Sequence, residues 1–342
     1  MEIIGYDHIS ADEQKIYHKI KQGLDKYESV IHFGSMTGSI DPGRIMYTIL
    51  SDYPEYIYFD KTKFYIGSDH SGGNYIKLYN PLPPLQAKRK MEQLKNRINE
   101  INSEIDSMFP DSDYERLLFI YQYFQSHYQY DRQELKYLSE RGDVLHPDSH
   151  NAYGVLIGGE GVCDGLASAL AAVLKSNGYI CTTVMGKAKL FTDIPAEHSW
   201  VMVKINNSYC HIDLTWDMSD SVTYAGEYSY QYFCTDDKFM ESDHQWDKSK
   251  IPEALSMNYS YFTKKGLYAH TVDQLDYILN LIAKSKRKYF QIIADKSINI
   301  GNQNFEDFII AKLQTVSLKH RGSVSMSYKW NDSIRCLTCQ YN

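Results

Sequence analysis

Cysteine is scarce in this chain, six residues in 342. Disulfide-stapled scaffolds run at roughly 8–10%, so the fold must rest on apolar cores and most of the thiols are expected to be reduced. At roughly 100–200 residues per domain the length favours two or three folded units, each able to bury a core without staples. Long apolar runs are missing too. The longest candidate, 165–174, is alanine-rich and far short of the roughly 18 residues that cross a bilayer, so no membrane span is expected. Residues 1–7 (Met-Glu-Ile-Ile-Gly-Tyr-Asp) lack the basic and apolar regions of a signal peptide. The expected location is therefore the cytoplasm, or the surface or medium if a leader has been removed or export is non-classical. Positive charge is not in excess: 36 basic against 43 acidic side chains give a net −7, which disfavours a nucleic-acid binder. No phosphate loop, dinucleotide fingerprint, EF-hand-like acidic run, internal repeat or low-complexity stretch is found, so neither a cofactor nor a metal is expected.

Tyrosine is what the chain has in abundance, 30 residues against 13 Phe and 4 Trp. Each half-buried phenol needs a partner or water. Ser10-Ala11-Asp12-Glu13 is a capping box, and Ile16, Ile20 and Leu24 follow at helical spacing, predicting a helix over about 11–26. Asp41-Pro42 opens a second helix, while 56–59, 63–66 and 75–78 read as short strands. A small α/β module over 1–84 is expected. Pro81-Leu82-Pro83-Pro84 then punctuates the chain before a polar helix over 85–110, whose stripe Leu94, Ile98, Ile101 and Ile105 has the form of a linker between units.

A helix capped at Ser112 and a glycine-rich loop over about 139–162 lead to an alanine-rich helix from Cys163 that stops at Gly178. Strands are predicted at 180–185, 198–205 and 208–214. The last section, 255–342, holds a helix at 272–283, a strand at 289–294, another helix and two closing strands. It carries 12 Lys and Arg against 6 Asp and Glu, read as a solvated basic face.

The sharpest local feature is Gly159-Glu160-Gly161-Val162-Cys163-Asp164-Gly165, which places a cysteine where a glycine loop becomes a helix. The positive end of the helix dipole and the free amides there favour thiolate. A nucleophile needs a base. If Asn206-Asn207 is a two-residue hairpin loop, Trp200 lies opposite Asp213, Met202 opposite His211 and His198 opposite Thr215. His198 and Asp213 then share a face as diagonal neighbours within hydrogen-bonding reach, which is the logic of a cysteine triad.

Gly161-Val162-Cys163-Asp164-Gly165-Leu166-Ala167, Glu197-His198-Ser199-Trp200-Val201-Met202-Val203 and His211-Ile212-Asp213-Leu214-Thr215-Trp216-Asp217 resemble, in order, the three blocks of the transglutaminase-like superfamily. The likeness extends over about 111–247, taking in Tyr128-Gln129-Tyr130-Asp131 and Asn151-Ala152-Tyr153-Gly154 upstream. It implies an α+β fold with a papain-like core, a cysteine helix packed on an antiparallel sheet that carries His and Asp, here over 111–250. Small α/β modules flank that core, the second and basic one at 251–342.

The resemblance further implies Cys163 as nucleophile, His198 as general base and acid, and Asp213 as its orienting acid. Acyl transfer through a thioester would then run from a protein or peptide carbonyl to a primary amine or to water. The Cys163 backbone N–H is the natural oxyanion donor. Ile157 stands where papain-like proteases carry glutamine, and Tyr153 is the substitute candidate. Trp200 and Trp216 are expected to wall the site. His211 reads as a satisfied structural histidine, and Asp243-His244 has no partner pattern. Cys336 and Cys339 have metal-like spacing, but they stand alone in a predicted strand, where i and i+3 face opposite sides. The alternatives kept open are a cysteine peptidase or amidase of the same fold and a non-catalytic protein-binding module.

Overall fold

The structure is a computed structural model that describes residues 2–35, 40–108, 112–189, 195–221, 227–285, 287–322 and 325–341, the side chains of 108 and 219–221 excepted. It is an α+β fold, helices packed on sheets that are largely antiparallel. Its apolar side chains gather into three cores along the chain.

The N-terminal core is closed by α1 (Ala11–Asp25), α2 (Pro42–Asp52) and an antiparallel sheet of β1 (Val30–Gly34), β2 (Asp60–Ser68) and β3 (Asn74–Tyr79) in the order β1-β3-β2. The expected capping box at Ser10 and Glu13 is formed, with the Ser10 N–H donating to Glu13 at 2.9 Å. The strand predicted at 56–59 is not a strand. Tyr56, Tyr58 and Phe59 enter the N-terminal core, while Ile57 points the other way into the central one. The segment is threaded between two cores, and its continuous apolar run imitates a buried strand without a ladder partner. Helix α3 (Pro84–Met108) does span both units: Ala87 belongs to the N-terminal core, and Leu94, Ile98, Ile101 and Ile105 to the central one.

The central unit runs through α4 (Asp113–His127), β4 (Gln129–Tyr130), α5 (Arg132–Arg141), β5 (Glu160–Gly161) and α6 (Cys163–Ser176), then β6 (Ile180–Ala188), β7 (Ala196–Ile205), β8 (Ser208–Ile212) and α7 (Leu214–Ser221). It ends with β9 (Phe233–Thr235) and β10 (His244–Trp246). Its sheet is antiparallel throughout, in the order β10-β6-β7-β8-β9. Helix α6 is buried from Gly165 to Leu174 and packs on β6 and β7. Such all-round apolarity is what a central helix needs. The glycine-rich stretch expected as one loop is broken up by the end of α5, a 3-10 turn at Pro147–His150 and a wide turn at Gly154–Gly158.

The β7–β8 hairpin has the expected register, Val201 opposite Ile212 and Met202 opposite His211, with Asn206 in the left-handed region at φ 51°. Strand β8 nonetheless stops at Ile212, two residues earlier than predicted, because Leu214 opens α7. Asp213 stands at the junction. Its N–H donates to Tyr232 O at 3.0 Å, and its carboxylate accepts the Trp216 N–H at 3.2 Å. The pairs Trp200–Asp213 and His198–Thr215 therefore do not form.

The C-terminal core lies under α8 (Val272–Lys284) and α9 (Phe305–Arg321). Its sheet joins β11 (Tyr268–Ala269), β12 (Tyr289–Ala294), β13 (Met326–Asn331) and β14 (Cys336–Tyr341) in the order β11-β12-β14-β13. Cys336 packs into the central core and Cys339 into the C-terminal one, on opposite faces of β14 as strand alternation requires.

Candidate active site

Cys163 is the first residue of α6, and its side chain is partly exposed. The chain is pressed into place there by the 147–150 turn. Val162 N–H donates to Ser149 O at 3.0 Å, and a Cβ on Gly165 would lie only 2.1 Å from that same oxygen. Glycine at 165 is therefore what lets the turn lie against the start of the helix. Cys163 opens onto a cavity of about 1700 Å³ whose wall also includes Tyr130, His198 and Trp216. Tyr47, Leu50 and Lys61 of the N-terminal unit line it as well, a contribution not visible in the sequence.

His198 on β7 reaches Asp213 through Nε2, 2.6 Å from Oδ2, which leaves Nδ1 for the thiol. Burial opposes a charge on this ring, but the Asp213 carboxylate and the Cys163 thiol outweigh it and push the pKa up to about 9. Asp213 is fully buried. Desolvation would raise its pKa, yet the imidazoles of His198 and His244 hold it well below the usual carboxylate range.

His244 lies behind this pair with both ring nitrogens on carboxylates, Nε2 at 3.0 Å from Asp213 Oδ2 and Nδ1 at 2.6 Å from Asp243 Oδ1. Both nitrogens must donate, so the ring is an imidazolium. Burial works against that charge, but the two carboxylates prevail and bring its pKa to about 9. The chain continues outward. Tyr232 Oη donates to Asp243 Oδ2 at 2.7 Å, and Asn331 of β13 donates to Tyr232 Oη at 3.3 Å.

A second polar cluster lies on the other side of Cys163. His150 bridges Asp164 (Nδ1, 3.0 Å) and Glu134 (Nε2, 3.3 Å), and its pKa also rises to about 9, the two carboxylates overcoming burial. Glu134 accepts the N–H groups of Leu145 (3.2 Å) and His146 (2.6 Å), and Asp131 accepts from Ser149 Oγ at 2.6 Å. Among the described residues, two groups bring potential metal-ligand atoms within 4.8 Å of one another, His198 with Asp213 and His244, and Asp131 with Glu134 and His146. Hydrogen bonds within the protein account for both.

Residues 102–214 match the family model of the transglutaminase-like superfamily. No curated protein matches the chain. Among solved structures, similarity is found to a TGase (TM-score 0.31, 13% identity) over 45% of this chain and 44% of that one. A candidate cysteine protease from Cytophaga hutchinsonii is similar over 45% of this chain and 61% of its own (TM-score 0.26, 11% identity). The aligned part thus spans less than two thirds of either solved chain.

Within the central unit, Cys163, His198 and Asp213 are gathered at one place, and Trp216 lines the cavity beside them. Trp200 lies one layer deeper. It is 1% exposed, stacks on His198 at 6.0 Å between ring centres and does not line the cavity. Its Nε1–H donates to His211 Nδ1 at 3.0 Å, so the His211 proton sits on Nε2 and points at Asp237 (2.8 Å). Burial, which lowers the His211 pKa, keeps that ring neutral and structural.

Tyr153 is placed away from the thiol: its hydroxyl donates to Gln93 at 3.0 Å and its ring lies under Lys90 Nζ at 4.6 Å. Tyr153, expected as an oxyanion donor, does not line the cavity that holds Cys163. The wide turn at 154–158 carries that ring toward α3. Sequence reasoning missed His244, Asp243, Glu134 and His150. The adjacent pair Asp243-His244 was a visible signal, but its partner Asp213 lies 31 positions away, on the far side of the sheet's strand order.

Proposed function

We propose that this protein is a cysteine-dependent acyltransferase of the transglutaminase type. Cys163 serves as nucleophile, His198 as general base and acid, and Asp213 as the residue that orients His198. The observation that carries this reading is the 2.6 Å His198–Asp213 hydrogen bond at the wall of a cavity that also holds Cys163 at a helix N-terminus. The Cys163 thiolate attacks the carbonyl carbon of a glutamine carboxamide or a peptide bond. The carbonyl π pair moves to oxygen and a C–S bond forms. When the oxyanion collapses, the C–N bond breaks and imidazolium His198 gives its proton to the departing nitrogen, leaving a thioester. A primary amine then attacks, His198 takes its proton, and the C–S bond breaks to return the thiolate. Water in place of the amine makes the same cycle an amidase or peptidase.

Incubation with a glutamine-rich acceptor protein and a labelled primary amine tests this. Label should enter the acceptor with the parent protein and not with Cys163→Ala or His198→Ala. Ammonia release or chain cleavage without label, lost in the same variants, would assign the hydrolytic form. A Cys163 whose alkylation rate is unchanged by His198→Ala would remove the enzyme reading altogether.

A further inference from the structure

The backbone of Tyr130 is clamped to the segment that delivers the nucleophile. Strands β4 and β5 pair in parallel with Tyr130 opposite Gly161, and the bonds from Gln129 N–H to Gly159 O and from Asp131 N–H to Gly161 O, both 3.0 Å, flank the pair. From this anchor the phenol enters the cavity shared by Cys163, His198 and Trp216, and its ring packs against the central core. Its hydroxyl faces the Cys163 backbone N–H. That amide, at the first position of α6, has no partner within the helix, so it is free to serve an external oxygen.

Burial holds the phenol protonated, and the negative groups of Cys163 and Asp164 reinforce this. A neutral O–H and a helix-start N–H thus converge on one spot beside the thiol. Three other polar side chains of the cavity wall are engaged elsewhere. Gln125 bonds both backbone groups of Ser229, Ser199 donates to Val184 O at 3.0 Å, and His150 is held between Glu134 and Asp164.

We propose that Tyr130 is a catalytic residue whose phenol O–H donates, together with the Cys163 backbone N–H, to the oxyanion formed when Cys163 attacks a substrate carbonyl. In the free protein the hydroxyl oxygen lies at the Cys163 amide. The substrate oxygen takes over that amide, and the phenol changes from acceptor to donor. The phenol proton stays on Tyr130 throughout: the thiolate pair becomes the S–C bond, the π pair goes to oxygen, and the proton delivered to the leaving group comes from His198. This assignment rests on the cysteine acyl-transfer reading above. One oxyanion donor is worth roughly 10²–10³ in rate.

The test compares two reagents on the full-length Tyr130→Phe variant. Acylation of Cys163 by p-nitrophenyl acetate builds an oxyanion, whereas its alkylation by iodoacetamide builds none. Acylation, defined as the nitrophenolate release that Cys163→Ala abolishes, should fall about 100-fold or more, with alkylation within about threefold of the parent. Acylation that is unchanged or faster would overturn the assignment, the latter meaning that the phenol only blocks the amide. A parallel fall in both rates would also overturn it, as a general disturbance of the site. A parent protein whose Cys163 is inert to both reagents would overturn the acyl-transfer reading itself, and the assignment with it.

Discussion

Two polar clusters lie near Cys163, and each is built around a buried histidine held between two carboxylates. On the sheet side, His244 bridges Asp213 and Asp243, and every member of the set bonds a ring or a phenol. On the loop side, His150 bridges Glu134 and Asp164; there Glu134 takes the backbone N–H groups of 145 and 146 and the neighbouring Asp131 takes that of 134, against the single backbone N–H of Trp216 on Asp213. The first arrangement fixes the direction of one imidazole. The second fixes the path of the chain that delivers Cys163. Similar chemistry, a cation shared by two acids, is thus spent once on orienting a side chain and once on holding a loop. The two should separate under mutation: the sheet-side set should change turnover, and the loop-side set should leave it nearly unchanged.

Asp213→Asn should give the largest effect. It preserves volume but not the charge that selects the His198 tautomer and stabilises its imidazolium, and the analogous change in serine triads costs roughly 10⁴-fold in kcat. Amine incorporation by this variant should fall by about three to four orders of magnitude while its near-ultraviolet circular dichroism stays like that of the parent. A fall of less than tenfold would mean that Asp213 does not orient the base.

The next test sets His244→Gln against His150→Gln. His244→Gln should lower kcat by about 10- to 100-fold with little change in KM, since a second group that orients the triad is lost. His150→Gln should change kcat by less than about threefold and instead lower the melting temperature, because Glu134 is left buried without its cation. Equal losses of kcat in both variants would erase the distinction between the clusters.

Legibility followed sequence separation. The capping box at Ser10, the stop at Gly178 and the hairpin register around Asn206-Asn207 are local, and they could be read because a turn or a cap is decided by residues a few positions apart. The two-residue loop sets the β7–β8 ladder as far as Val201–Ile212, and Asp213, one residue past its end, still lies near enough to meet His198 although the pairs expected there do not form. His244 could not be found this way. It reaches Asp213 from β10, at the opposite edge of the sheet from β9, and no local rule gives that strand order. Tyr153 misled for a related reason. It lies ten positions before Cys163, but the turns between them direct its ring to α3, whereas Tyr130 is brought to the thiol by a two-residue parallel pairing with no signature of its own.

The remaining effect is one the two clusters share. His150 and His244 are both brought to pKa values of about 9 from an ordinary 6.5. A histidine whose pKa is higher folded than unfolded contributes stability that is full below pH 6.5 and is lost as pH rises through its folded value. Two and a half units correspond to roughly 3 kcal/mol for either ring. The unfolding free energy from urea titrations should therefore decline between pH 6.5 and 9, and His150→Gln or His244→Gln should each flatten that decline. The flattening should be alike in the two variants although their turnover differs, since stability counts the charge and catalysis counts only what the charge is pointed at. A parent whose stability is level across this range would show that these rings are neutral in the folded protein. One nitrogen of each would then be facing a carboxylate without a proton to donate, and the bridging geometry around Asp213 and Glu134 would have to be redrawn.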